Sequence, residues 1–262
     1  MSPTALIIGA TRGLGSSLAH EYLQKGYTVY GTARSPTHQD ADSSKGTRWV
    51  PNVDISTENA GQTIASHFKQ DSNSTDSIDV LIVSAGYFGK ESFDAPDFQA
   101  QLKMYQTSAI GPVFLVQQLF KAGLLKQGSK VVLVSSESGS IGLRHESEGG
   151  GNYGHHASKA ALNMVGKLLS LDLKDEGVAV AIVHPGFMRT EMTKSVGFDK
   201  FWDKGGAVVP EAAAKSLVEW VDTFDIGKTG QYWAPRGPGD IGTAEDVLGP
   251  KDKLSTPLQL PW

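Results

Sequence analysis

Short apolar runs alternate along this chain with stretches whose apolar residues fall at helical spacing. Ala5-Leu6-Ile7-Ile8 is the first run and closes at Gly9. Leu14, Leu18, Tyr22 and Leu23 follow on one helical face, and Gly26 stops that helix as a C-terminal glycine does. Thr28 to Ala33 reads as a second strand, Trp49 to Val53 as a third and Asp79 to Val83 as a fourth. A helix around Ile64 and Phe68 lies between the last two. Pro96 is expected to open a long helix through Leu102, Val113 and Leu119, bent at Gly111-Pro112. Lys130 to Val134 is strand five, residues 155–174 the next helix, and Val178 to Val183 strand six. Pro210 sits where a first helical turn accepts proline, ahead of Leu217 and Trp220. Gln231-Tyr232-Trp233 reads as a final edge strand. The Ser/Asp-rich stretch Asp71 to Ser77 is expected as a surface loop, and the Pro/Gly-rich tail after Trp233 as irregular.

Continuous apolar strands need cover on both faces, and helices between successive strands supply it. The pattern therefore predicts an α/β fold with a doubly wound parallel sheet, the Rossmann arrangement. No internal repeat and no dividing linker interrupts it, so residues 1–262 are expected to form a single domain.

Composition narrows the partners. The 262 residues carry a formal charge of -4, which offers no general attraction to nucleic acid or anionic lipid. No apolar run approaches the ~20 residues of a membrane span, and Met1-Ser2-Pro3-Thr4 has no secretory pattern. Cysteine is absent, which excludes disulfides, thiolate metal sites and cysteine nucleophiles. A cytoplasmic protein with a small-molecule substrate and no metal is the expectation.

The chemistry gathers at strand ends. Gly9-Ala10-Thr11-Arg12-Gly13-Leu14-Gly15 joins the first strand to the first helix. Gly9 permits a tight turn, Gly13 lets backbone approach a pyrophosphate, and Gly15 lets helix and strand pack closely. Arg34 ends strand two, where an acidic residue would suit NAD; a cation there, with Arg12 nearby, suits the 2′-phosphate of NADP. Asp54 and Ile55 follow strand three, Ser84-Ala85-Gly86 strand four, Ser135-Ser136 strand five, and Pro185-Gly186-Phe187-Met188-Arg189-Thr190 strand six. Asp54 can equally cap the turn at Ser56.

In this order the motifs resemble the short-chain dehydrogenase/reductase family over residues 5 to 192. The long gap between Ser136 and Lys159 is similar to that of carbonyl-reductase-like members. The closing Trp233 to Asp240 and the His155-His156-Ala157-Ser158-Lys159 run resemble a fungal group. The resemblance implies NADP bound by Gly9, Thr11, Arg12, Gly13, Leu14, Gly15, Arg34, Asp54, Ile55, Ser84, Ala85, Gly86, Lys159, Pro185, Gly186, Met188 and Thr190. It implies that Ser136 holds a substrate carbonyl and that members pair as dimers or tetramers.

The family's tyrosine, four residues before the lysine, is here His155, and the asparagine of the long helix is Ser108. On a regular helix His155 and Lys159 share a face. A nearby lysine cation should lower the imidazole pKa and favour its neutral form. Tyr153 is the rival donor, if the glycines before it let the chain fold inward. Met192, Val196, Phe198, Phe201 and Trp202 fall where the resemblance implies a substrate lid, with core packing the other reading of Phe201 and Trp202; an apolar lid suggests a hydrophobic ketone or alcohol, such as one of secondary metabolism. Three readings stand: an NADP-dependent oxidoreductase using Ser136, His155 and Lys159; a non-redox isomerase, dehydratase or cyclase; and a nucleotide-binding protein without turnover.

Overall fold

The computed structural model describes residues 2–36, 45–71 and 77–262. The loop expected from Asp71 to Ser77 falls mostly on residues 72–76, outside those described. The strands are β1 (Thr4–Ile8), β2 (Thr28–Thr32), β3 (Arg48–Val50), β4 (Val80–Val83), β5 (Lys130–Val134), β6 (Ala179–Val183), β7 (Tyr232–Ala234) and β8 (Leu258–Gln259). They form one sheet in the order β3-β2-β1-β4-β5-β6-β7-β8. All neighbours are parallel except β7 and β8. The chain leaves β1 for one half of the sheet and crosses to the other at β4. The switch point between β1 and β4 is where such folds open a crevice at the strands' carboxyl ends.

Both faces are covered. Leu6, Ile8, Leu81, Val83, Val131 and Leu133 meet α2 (Ala60–Gln70), α4 (Gly111–Lys121) and α5 (Tyr153–Leu173) through Ile64, Leu115, Leu119 and Leu162. Ala5, Ile7, Val80, Ile82 and Val132 meet α1 (Gly13–Gln24) and α7 (Pro210–Thr223) through Leu18, Tyr22, Leu217 and Val221. The period-two pleat sends successive residues to opposite faces, so continuous apolar runs are what this sheet requires.

Several elements differ from expectation. Strand three stops at Val50. Asp97, not Pro96, starts α3 (Phe98–Tyr105), its carboxylate accepting the Ala100 N–H at 2.9 Å. The helical irregularity is a π turn over Gln106–Ile110, ahead of Gly111-Pro112. Gly111 serves a crossing, not a bend: a Cβ there would overlap the Ile55 carbonyl. Helix α5 begins at Tyr153, two residues early. Strand β7 is not the edge, because β8 pairs with it antiparallel. The tail folds too: α8 (Ala244–Leu248) and β8 help to bury Leu143, Tyr232, Ile241, Leu258 and Leu260 together.

Gly111→Ala should destabilise the fold by about 1–3 kcal/mol, the usual cost of overpacking. Alanine otherwise favours a helix by ~1 kcal/mol over glycine. A urea midpoint that rises in the variant would show that α4 does not press on Ile55.

Candidate active site

The loops after β1 and β4 touch at the switch point. A Cβ on Gly9, whose φ is +86°, would stand 2.8 Å from the Cα of Ala85. Gly15 carries α1 onto this turn, since a Cβ there would overlap the Gly9 carbonyl. Gly13, at φ +54°, faces Thr190 across the crevice. Arg12, the residue ahead of α1, makes no side-chain cap, so the first-turn N–H groups stay available. Arg12 and Arg34 both line the cleft, and among the described residues neither forms an ion pair.

Asp54 fills one of its two expected roles within the chain. Its Oδ1 accepts the Ser56 N–H at 2.9 Å and the Ser56 hydroxyl at 2.7 Å. Burial pushes its carboxyl up, but these bonds and the Arg34 and Lys103 cations outweigh it and hold it below its ordinary value.

Helix α5 is stitched to the end of β5. The buried Lys159 ammonium donates to the Val134 carbonyl at 2.8 Å. Burial pushes its pKa down to about 8. Ser135 donates to Asn163 Oδ1 at 2.6 Å, and Asn163 Nδ2 donates to the Gly139 carbonyl at 3.1 Å. Both serines line the cleft, but the Ser135 hydroxyl is committed to Asn163. The Ser136 Oγ accepts the Ser138 N–H at 3.2 Å, which leaves its proton free to donate.

His155 lines the same cleft one turn before Lys159. Its Nδ1 is sealed from solvent without a hydrogen-bond partner among the described residues, whereas Nε2 is not so enclosed. Burial, then the Lys159 cation, push the imidazole pKa down to about 3. The ring is therefore neutral at ordinary pH. Tyr153 does not join it. It is the first residue of α5, 39% exposed, with its hydroxyl beside Gly150. Ser108 lies buried in the π turn, its hydroxyl without a partner among the described residues, and does not line the cleft. Its neighbour Thr107 does. His156 hydrogen-bonds the Asn152 carbonyl through Nδ1 at 2.9 Å.

The cleft has a volume of about 560 Å³. Every other residue expected to bind cofactor lines it: Gly9, Thr11, Arg12, Gly13, Leu14, Gly15, Arg34, Asp54, Ile55, Ser84, Ala85, Gly86, Pro185, Gly186, Met188 and Thr190. Thr190 also caps α6 (Glu191–Ser195), its Oγ1 accepting the Thr193 N–H at 3.2 Å. Met192, Phe198 and Phe201 form the apolar wall. Val196 is buried, and Trp202 packs on Arg189 and donates to Thr193 Oγ1 at 3.2 Å.

Phe88, Lys103 and His184 line the cleft without having been expected there. Phe88 stacks on His155 with centroids 4.1 Å apart. Its signal was available: Tyr87-Phe88 directly follow Ala85-Gly86 at a strand's carboxyl end, where ligands bind. Among the described residues no group of His, Asp and Glu gathers as a metal site, and no helix is long and apolar enough to cross a membrane.

Comparison with known proteins agrees with this geometry. The 1-hydroxy-2-glutathionyl-2-methyl-3-butene dehydrogenase of Rhodococcus sp. (strain AD45) is 27% identical over 230 residues, covering 87% of this chain and 95% of its own. The NADPH-bound carbonyl reductase from chicken fatty liver superposes with a TM-score of 0.72 at 19% identity, covering 89% and 96% of the two chains. The 3-oxoacyl-[acyl-carrier protein] reductase from Brucella melitensis, solved with NAD, gives 0.74 at 22% identity, covering 93% and 98%. The short chain dehydrogenase model matches residues 3–200. The glycine turn, the cleft at the switch point and this match agree that the chain belongs to the short-chain dehydrogenase family of oxidoreductases.

Proposed function

We propose that this chain uses NADP to move a hydride between nicotinamide and a hydrophobic ketone or alcohol. The observation that carries the reading is the convergence of Ser136, His155 and Lys159 on the cleft that also holds the glycine turn and two uncommitted arginines. The two similar structures hold different dinucleotides. The preference for NADP therefore rests on Arg34 and Arg12, whose charges suit a 2′-phosphate. The first turn of α1 and Gly13 would take the pyrophosphate, and Asp54 Oδ2 would accept from the adenine amino group.

A bound nicotinamide supplies or takes the hydride. The chain's residues manage the oxygen. Ser136 Oγ–H and His155 Nε2–H donate to it, and both strengthen as negative charge develops. A neutral imidazole suits this task, because it donates without first having to be charged. Hydride addition sends the C=O electron pair onto oxygen. The Nε2 proton follows it, and the Lys159 cation compensates the charge left on the ring until cleft water restores the proton. Phe198, Phe201 and Met192 shield this exchange from bulk water and favour an apolar substrate, a class that includes products of secondary metabolism.

The cofactor assignment is tested by Arg34→Asp. A charge-assisted hydrogen bond contributes about 1.5–3 kcal/mol, so NADPH affinity should fall roughly 10–100-fold and NADH gain relative to it. Fluorescence titration decides. Equal wild-type affinity for the two cofactors would remove the NADP assignment.

His155→Ala should lower turnover by ~10²–10⁴-fold with NADPH affinity unchanged, whereas Tyr153→Phe should stay near wild type. With His155 neutral down to about pH 3, reduction should show no limb near pH 6.5. It should fall as pH rises past about 8, where Lys159 loses its charge. A limb near 6.5 that disappears in His155→Ala would mean that the ring titrates freely. NADPH consumption separates this reading from non-redox chemistry, and any substrate conversion separates both from binding without turnover.

A homo-oligomer is part of the proposal. Val113 and Phe114 on α4 are exposed, and so are Met164, Leu168 and Leu171, which recur at helical spacing along α5. Sedimentation should find a dimer or tetramer, and Leu168→Glu should shift it toward monomer. A wild-type monomer at micromolar concentration would overturn this.

A further inference from the structure

The loop after β4 grips His155 at two points. Phe88 lies on the imidazole, centroids 4.1 Å apart and planes at 20°. Phe198 of the apolar wall meets Phe88 edge-on at 5.6 Å and 83°. Three residues after Phe88, the buried Glu91 holds the peptide that carries the ring. Its Oε1 accepts the N–H of Gly154, the residue before His155. Its Oε2 accepts from Gln101 Nε2 at 2.8 Å and from the Asp97 N–H at 3.3 Å. Its backbone carbonyl accepts the Asn152 N–H at 3.1 Å. A single carboxylate therefore fixes the starts of α3 and α5 together. Burial pushes its pKa up, and these donors more than reverse that, so it stays ionised.

The need for such a grip lies in the ring itself. A working histidine usually has its remote nitrogen bonded to a carbonyl or carboxylate, which sets tautomer and plane. In His155 that nitrogen, Nδ1, is sealed and has no partner among the described residues. Stacking and the helix clamp are what remain to orient it. A sealed N–H lacking an acceptor is rarer in folded proteins than an under-satisfied acceptor. The proton therefore belongs on Nε2.

We propose that Phe88 and Glu91 are the positioning residues of His155, Phe88 fixing the plane of the imidazole and Glu91 the first turn of α5, so that Nε2–H faces the cleft. Their catalytic consequence rests on the reading of His155 as the donor to the substrate oxygen. Glu91 lines no part of the cleft and acts only through the helix. Phe88 also joins the ring to Phe198, so the apolar wall and the donor move as one packed unit.

Long-range ¹H–¹⁵N correlation of the imidazoles, with His155 assigned by its loss in His155→Ala, reads the ring without needing turnover. The wild type should give the neutral Nε2–H pattern. Phe88→Ala should give mixed tautomers and lose the ring-current shift. It should cost roughly 10²-fold in kcat, the scale of a small misplacement, with the KM for NADPH unchanged. Phe88→Trp should restore both pattern and rate. Glu91→Ala should disturb the His155 signals likewise, while Glu91→Gln, whose amide oxygen still accepts the Gly154 N–H, should largely keep them. A wild-type Nδ1–H pattern would overturn the proposal, as would unchanged His155 signals in a folded Phe88→Ala. If Glu91→Ala does not fold, Glu91→Gln and the Phe88 pair still decide. An active His155→Ala beside a disturbed Phe88→Ala spectrum would sink the donor reading but not the positioning. The reverse pattern would sink the positioning alone.

Discussion

The bond from the Lys159 ammonium to the Val134 carbonyl is the interaction on which the site depends. A charge this deeply buried is costly unless it is hydrogen-bonded. Here one carbonyl at the end of β5 accepts that bond, and so ties α5 to the carboxyl end of the sheet where Ser136 emerges. Gly139 is required by the same contact, because a Cβ there would stand 2.7 Å from the Lys159 carbonyl carbon. The cation also sets the chemistry one turn away. Burial first, and then this cation, keep His155 neutral. A phenol beside such a lysine would be pushed toward its anion and so toward accepting a proton. An imidazole is pushed the other way, toward a neutral N–H donor. One lysine thus yields different chemistry according to the residue it faces.

The second constraint is the placement of Ser136. Its backbone carbonyl accepts the Tyr232 hydroxyl from β7. The next residue, Glu137, donates its N–H to His184 Nδ1 at 3.0 Å, and His184 Nε2 is 3.1 Å from the Asp240 carbonyl. Those bonds settle the His184 tautomer: Nδ1 accepts, so Nε2 carries the proton and donates. His184 is a fixed strut between the serine loop and the tail. His155, with neither nitrogen hydrogen-bonded among the described residues, is the histidine left free for a ligand. Two histidines near one cleft are told apart by their partners.

Much of the site was legible because it sits at strand ends. Gly9, Gly13 and Gly15 carry their own backbone logic, and the apolar runs marked where β1, β4, β5 and β6 stop. The tail was not legible. Strand β8 has two residues and α8 five, too few for any periodicity to register. Their order comes from distant partners: Leu260 N–H on the Tyr232 carbonyl, Gly142 N–H on Trp262, Thr243 on Leu143. The start of α5 was misplaced for a related reason. Three glycines argue against a helix, and what begins it is Glu91, far back in the chain, capping Gly154. Side chains that cap from a distance leave no local trace. Phe88 belongs to no motif, and only the fold brings it onto His155.

The tail's packing explains why a segment with weak local preferences folds at all. Gly186, at φ +100°, leaves room that Asp240 fills, the carboxylate lying 2.7 Å from where a Cβ would be. Arg236 pairs with the same carboxylate at 3.0 Å. That places the tail against the Pro185-Gly186 turn, on the floor of the cleft, while Ser140 and Gly142 bond to Pro261 and Trp262 beyond it. The serine loop and the turn after β6 are thus each held from behind by the same C-terminal stretch. The wall formed by Phe198 and Phe201 reaches the cleft from the other side, through Phe88. Rigid backing beneath the oxygen-binding groups and an aromatic face above them divide the labour. The first holds Ser136 in place, and the second reaches His155 through Phe88, so the wall that would meet the substrate also backs the imidazole.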